Sequence, residues 1–381
     1  MSKNIVIVGA SYVGLAITHR SEQNHNTKLY TLNDQQHDYK VVVVSPTTHH
    51  YWNMASVRAI VPGQFSDDKL FAEIPAALSK YGDKVEFVHG TAKSLDTSSQ
   101  SIIIATSKDE RQLHYDILVI ATGSRAKGST ELPWYSSALG YEATRDTLHK
   151  YQEKVINAQS IVISGGGPTG VESAGELGYE FGKTKEIYLI TAGSKLLSAG
   201  TPAMATSAEN ELRKLNVKIV FETKVTDAKT NEAGQTTLTL SNGETKTVDM
   251  YLPSVGSVVN SDFVPDIYLN ETKEIKVDEF LRVKETSNVW AAGDVIDIEP
   301  SQYVYAEKQA AALYKNLNLV INGKQPVPYR PGPTILGVTL GRSRATGRLG
   351  PLKLPSIVLW FAKGRTLGTQ DLQPLVSGSK F

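Results

Sequence analysis

An α/β fold of two nested Rossmann-like dinucleotide-binding domains (glycine-turn units of strand, cradle and helix), with a short basic C-terminal segment, is predicted by three features of the sequence. A β-branched run ends in a glycine turn and opens into a helix-compatible stretch. The same unit recurs 156 positions later, counted by its first glycine. Two short segments, Ala121-Thr122-Gly123 and Ala292-Gly293-Asp294, each close a further apolar run.

Ile5-Val6-Ile7-Val8 reads as a buried parallel strand, because a strand covered on both faces is a near-continuous β-branched run. A helix is expected from Val13. Val41-Val42-Val43-Val44 and Ile117-Leu118-Val119-Ile120 read as further buried strands. The pattern then restarts: Ile161-Val162-Ile163-Ser164, a triple glycine, a helix through Leu177 and the strand Ile187-Tyr188-Leu189-Ile190. Alternating segments at Lys218–Val225, Thr236–Leu240 and Val248–Pro253 follow, then Val289-Trp290-Ala291 and a helix over about Ala306–Val320. Pro326, Pro328, Pro331 and Pro333 mark a boundary. The expected division is 1–125 with 254–325 as one discontinuous domain, 126–253 as a second, and 326–381 as the last segment.

A chain of 381 residues, 40% apolar and 21% charged, is an ordinary globular composition with room for two or three domains. Net charge is +1, yet 325–381 holds eight Lys/Arg against one acid and is +7, leaving −6 for the remainder. That asymmetry suggests an anionic partner for the tail. Its basic residues alternate with apolar ones and form no nucleic-acid motif, so nucleic acid is disfavoured. Leu354 to Ala362 is apolar with Lys353, Lys363 and Arg365 at its flanks, which suits peripheral contact with an anionic membrane.

No apolar run reaches the ~20 residues that span a bilayer. Met1-Ser2-Lys3-Asn4 runs into the first strand, so neither a leader peptide nor N-myristoylation is expected. The expected location is cytoplasmic, peripheral on a membrane if the tail binds lipid, or peroxisomal if Ser379-Lys380-Phe381 serves as an S-K-L-like address. The chain has no cysteine, which excludes thiolate zinc sites, thiol nucleophiles and disulfides, and no metal site is expected.

The first cradle is Gly9-Ala10-Ser11-Tyr12-Val13-Gly14, a G-x-G-x-x-G pattern with Ser11 for the second glycine. The first glycine permits the turn, the second lets backbone approach a diphosphate, and the third lets helix pack on strand. The acid usual at the end of the next strand is replaced by Ser45. The second cradle, Gly165-Gly166-Gly167-Pro168-Thr169-Gly170, fits the full pattern. Its following strand ends at Thr191, again not an acid. With Ser194 and Lys195 nearby, NADPH is tolerated as well as NADH.

The ordered set of two cradles, Ala-Thr-Gly and Gly-Asp resembles the glutathione-reductase-like superfamily of pyridine nucleotide oxidoreductases. Within it the chain resembles apoptosis-inducing-factor-like flavoproteins of the AMID and ferroptosis-suppressor type. The carrying segments are His50-Tyr51-Trp52-Asn53-Met54-Ala55-Ser56-Val57-Arg58, Gly167-Pro168-Thr169-Gly170-Val171-Glu172, Tyr329-Arg330-Pro331-Gly332, Leu340-Gly341-Arg342 and Ala362-Lys363-Gly364-Arg365. The resemblance implies that FAD lies in the first cradle, with Tyr12 beside it, Arg58 helping to bind it, Ala92 meeting the adenine through its backbone, and Thr122 and Gly123 at the domain crossing. Gly293 and Asp294 return to FAD, the aspartate on the ribityl chain. Ser11 and Ser45 depart from the family pattern.

Relatives that reduce disulfides use a Cys pair, which this chain lacks. A hydride from NAD(P)H must therefore leave through an external acceptor, and the resemblance points to a quinone. Tyr303, Tyr305, Trp360 and Phe361 are candidates to line an apolar acceptor pocket. Glu172 and Lys363 are expected to pair beside the flavin and act in hydride transfer and reoxidation. The rival expectation is a slowly turning NAD(P)H-responsive flavoprotein whose output is a partner contact in cell-death or redox signalling.

Overall fold

The computed structural model describes residues 3–23, 39–127 and 132–381. Met1 and Ser2, on which the leader and myristoylation expectations partly rest, lie outside them. The first sheet has five parallel strands in the order Val289–Ala291, Ile117–Ile120, Lys3–Val8, Tyr39–Ser45 and Val85–His89. Its register sets Ile5 between Val41 and Ile117, and Ile7 between Val43 and Val119. All of these side chains are buried. Each contributes roughly 1.5–3 kcal/mol of apolar burial, so this strand fixes its own place at the centre of the sheet.

The outermost strand of that sheet comes from residues 289–291, far along the chain, so the second unit is inserted before the first is complete. The inserted sheet is also parallel, in the order Val217–Val220, Glu186–Ile190, Ser160–Ser164, Met250–Pro253. Strand Ser124–Ala126 pairs antiparallel with Ser257–Val259, so the two chain crossings between the sheets run side by side.

The alternating segment 218–225 is two strands rather than one. Val217–Val220 ends the parallel sheet and Val225–Thr230 begins an antiparallel one with Thr236–Leu240 and Thr245–Val248. Glu222 between them has a φ of +51°, and that left-handed residue turns the chain out of the sheet. The late helix extends over Tyr303–Ile321, longer than expected at its start.

The last segment forms its own small antiparallel sheet, Ile335–Thr339, Ala345–Leu349 and Leu352–Lys353, followed by short helical turns from Ser356. It does not trail free. Leu359, Leu367, Leu372, Leu375 and Val376 are buried, and Trp52 donates Nε1–H to the Leu367 carbonyl at 2.9 Å. Lys380 bonds Glu307 at 2.8 Å, Asp371 at 3.1 Å and the Tyr303 hydroxyl. The Phe381 ring stacks near His19 and lies against Arg20. The Ser379-Lys380-Phe381 segment is thus held by the fold. Among the described residues no helix is long and apolar enough to cross a membrane, and no cluster of metal-ligating side chains occurs.

Candidate functional site

The two cradles are the same backbone device built twice. Gly9 N–H donates to the Val44 carbonyl, and Gly165 N–H to the Ile190 carbonyl, both at 2.8 Å. Each of these glycines has a positive φ, +108° and +118°. A Cβ on Gly9 would lie 2.2 Å from the Ala121 oxygen, and one on Gly165 would lie 2.2 Å from the Ser254 oxygen. The third glycines close the turn: a Cβ on Gly14 would sit 1.7 Å from the Gly9 oxygen, and on Gly170 1.9 Å from the Gly165 oxygen. Only hydrogen fits at these positions, which leaves each helix, Tyr12–Gln23 and Pro168–Phe181, with its amino end at the turn. Gly167 faces open space, as a diphosphate approach requires.

Around the first cradle, Ser11 Oγ lies 3.3 Å from His50 Nδ1. Tyr12 donates its hydroxyl to Asn53 Oδ1 at 2.8 Å and packs edge-on against His50, Trp52 and Tyr303. Burial pushes the Tyr12 hydroxyl well above its usual range. Ser45 is buried at its strand end and accepts from Thr47 N–H at 3.3 Å. Gly90 N–H donates to the Ser45 carbonyl, which brings the strand Thr91–Asp96 alongside; Ala92 sits there next to a bulge. Thr122 donates to the Asn260 carbonyl at 2.6 Å, and open space faces Gly123.

Asp294 accepts from Ser124 Oγ at 3.0 Å, and burial raises its carboxyl above the usual aspartate value. Gly293 N–H is held by Gln309 Oε1 at 2.8 Å, and Gln309 by Glu299 at 3.0 Å. The sequence reading gave His50 and Asn53 no role beyond the segment that carries the resemblance, and missed Gln309. Their partners lie 39, 41 and 16 positions away, and no local pattern announces such pairs.

A dinucleotide fits this set. The glycine turns admit no side chain, a carboxyl stands at Asp294 with one side-chain hydrogen bond, and His50 Nε2 is buried with no partner.

At the second cradle, Thr191 is buried and a Cβ on Gly166 would lie 2.6 Å from its Oγ1, so Thr191 fixes the turn from below. Lys195 is exposed on the following loop. Glu222, an acid not counted from sequence, stands beside that loop, its N–H donating to the Gly193 carbonyl at 3.2 Å.

The helix Pro168–Phe181 carries Glu172, Glu176 and Glu180 on one face, four residues apart. Each meets a cation from elsewhere in the chain. Lys363 Nζ lies 2.6 Å from Glu172 Oε1 and also donates to the Gly337 carbonyl at 3.1 Å. Glu172 Oε1 further accepts from Thr339 N–H at 2.9 Å. Glu176 is bound by Arg58 at 2.8 Å, and Glu180 by Arg342 at 2.6 Å. Part of the basic tail's charge is therefore answered within the molecule.

Glu172 is the fifth residue of its helix. Arg58, expected at the FAD, is buried, donates Nε–H and Nη2–H to Glu176, and donates to the carbonyls of Gly364 at 2.8 Å and Arg365 at 3.1 Å. Of the four late aromatics, Tyr305 is spent on the Ile335 backbone, Trp360 on the Arg342 carbonyl and Tyr303 on the Tyr12–Trp52 cluster; Phe361 is exposed.

Doubly wound sheets, paired glycine cradles and a Gly-Asp return define a two-dinucleotide oxidoreductase. The chain belongs to the pyridine nucleotide-disulphide oxidoreductase family, whose description matches residues 3–310. It is 38% identical over 380 residues to "Oxidoreductase ptaL" of Pestalotiopsis fici, covering 99% of both chains. It is 25% identical over 338 residues to ferroptosis suppressor protein 1 of Taeniopygia guttata, covering 86% of this chain and 87% of that one. The sulfide:quinone oxidoreductase of Aquifex aeolicus shares its fold, with a TM-score of 0.76 at 20% identity over 99% of this chain and 92% of that one.

Proposed function

We propose that the chain is an FAD-dependent enzyme that takes a hydride from NADH or NADPH and passes the electrons to a quinone-type acceptor. The observation that carries this reading is the contact between Glu172, on the helix of the second cradle, and Lys363, on the last segment, in a chain without cysteine. FAD supplies the two-electron relay. The chain's own residues would hold it: the turn at Gly9 and Gly14 would receive the diphosphate, Asp294 the ribityl chain, and the second cradle the nicotinamide dinucleotide. On this reading 1–125 with 254–325 is the FAD domain, 126–253 the NAD(P)H domain and 326–381 the flavin cover. A structural neighbour named for sulfide:quinone chemistry supports a quinone as acceptor.

The purified protein is expected to be yellow and to bleach with NADH or NADPH without oxygen. Steady-state rates should be higher with short-chain quinones than with oxygen. A folded protein that cannot be loaded with FAD overturns the reading, and a loaded one with negligible quinone turnover favours the partner-binding alternative. The two cradles are separable by Gly9→Ala and Gly165→Ala, since each Cβ meets a carbonyl oxygen at 2.2 Å. Gly9→Ala should weaken flavin retention at least roughly tenfold, about 1.4 kcal/mol. Gly165→Ala should stay yellow but bleach only at far higher NAD(P)H. Loss of flavin from both variants alike would refute the separation.

The last segment also supports a peripheral membrane contact. Leu352, Ile357, Val358 and Phe361 are 67, 64, 52 and 60% exposed, while Leu359 between them is buried. The stretch therefore packs on the protein with one face and offers an apolar surface with the other, beside Lys353. Because its inner face is core, point substitutions test it better than truncation. Ile357→Ser with Val358→Ser should lose flotation with anionic liposomes and keep quinone turnover. Equal flotation of variant and parent, or none for either, counts against the contact.

A further inference from the structure

We propose that His50 is a cofactor-positioning residue: held by Ser11, it presents its Nε2–H to a diphosphate oxygen of the dinucleotide in the first cradle. The inference rests on the reading that this cradle holds FAD.

His50 lies at the middle of the short strand His49–Tyr51, paired with Phe71–Glu73, where His50 faces Ala72 in the register. The ring is 1% exposed. Its Nδ1 has the Ser11 hydroxyl at 3.3 Å, while its Nε2 has neither solvent nor a partner. Neighbouring groups cannot supply one. The Tyr12 ring approaches edge-on with centroids 4.7 Å apart, but its hydroxyl is committed to Asn53. Trp52, 6.0 Å away, has its N–H on the Leu367 carbonyl.

Burial pushes the His50 imidazole down to about 3, so the ring is neutral and carries one N–H. When the Ser11 hydroxyl donates to Nδ1, that hydrogen sits on Nε2 and needs an acceptor. A buried donor without one is strongly disfavoured.

The position of Ser11 identifies the acceptor's chemistry. Ser11 stands where the second glycine of the pattern lets backbone approach a diphosphate. A phosphate oxygen is an anionic acceptor with lone pairs to spare, and a hydrogen bond to an ionised acceptor is stronger than one between neutral groups. The side chain at this position is therefore compensated: the glycine's space is lost and a relay Ser11–His50 is gained. Sequence inspection reads Ser11 as a departure from the family pattern, whereas its side chain orients a second donor.

The test uses the full chain. FAD is titrated back into stripped protein and followed by flavin fluorescence, for the parent, His50→Ala, His50→Gln and Ser11→Gly. ADP and adenosine are titrated in parallel by calorimetry. His50→Ala should raise the Kd for FAD and ADP by roughly ten- to a hundredfold and leave adenosine unchanged. His50→Gln, which keeps an N–H donor, should recover part of the loss, and Ser11→Gly should show a smaller one. In the loaded protein, ³¹P resonances of the bound diphosphate should move in His50→Gln. Unchanged FAD affinity in both His50 variants, or an equal loss for adenosine, overturns the proposal. Should the parent itself take up no FAD or ADP, it is the reading of the first cradle that fails, and this inference with it.

Discussion

Replacing Arg58 with alanine is expected to lower the stability of the folded chain by about 3–5 kcal/mol, the cost of leaving a buried charge without its partner. Glu176, whose side chain is 0% exposed, would then keep only Arg342 Nε at 3.5 Å. The carbonyls of Gly364 and Arg365 would lose their donors as well, loosening the turn that carries Lys363. Arg58→Lys should not rescue, because one ammonium cannot reproduce a fork that serves a carboxylate and two carbonyls. Glu176→Gln added to Arg58→Ala should recover part of the loss by removing the charge.

The pH dependence has a definite sign. Burial already raises the Glu176 carboxyl above its ordinary 4.5 in spite of Arg58. Without Arg58 it rises further, so the folded variant holds a proton that the unfolded chain releases. The deficit relative to the parent is therefore largest and constant above the variant's raised value, and shrinks as pH falls through that value towards the parent's. Urea melts of parent and variant across that range check this. A deficit that is absent, or constant with pH, would remove the buried pair as its cause.

The cradles were legible in the sequence because a backbone constraint wrote them. Gly9, Gly14, Gly165 and Gly170 stand where a Cβ would strike a carbonyl oxygen, so residue type and geometry coincide. The buried strands were legible for a similar reason, since burial on both faces admits little except Val, Ile and Leu. The break near Glu222 was not, because no Gly or Pro marks it and the left-handed residue at the turn is a glutamate. The Arg58–Glu176 pair was not legible, because a guanidinium suits a phosphate and a buried carboxylate equally well. Which one it meets depends on Glu176, 118 positions away. The basic tail suggested an anionic partner, and part of that partner is the chain itself, through Glu172, Glu180 and Glu307.

Glu172 and Lys363 should respond as one unit. Glu172→Ala and Lys363→Ala are each expected to retain the fold and lower quinone turnover roughly tenfold or more, about 1.4 kcal/mol of barrier. The double variant should fall short of the sum, because each single change already removes the same 2.6 Å contact. The two singles should differ in stability. Glu172 is 7% exposed, and after loss of Lys363 it retains only the Thr339 N–H and hydroxyl. Lys363 is about a third exposed and keeps the Gly337 carbonyl and water when Glu172 is removed. Lys363→Ala should therefore melt earlier than Glu172→Ala. Lys363→Met, which keeps the aliphatic stem without the charge, separates packing from electrostatics. Stopped-flow rates should place the Lys363 effect in the approach and departure of electrons, with flavin content unchanged. Full turnover with normal flavin content in both single variants would leave the pair a purely structural clasp, and an additive double variant would show that the two side chains act independently.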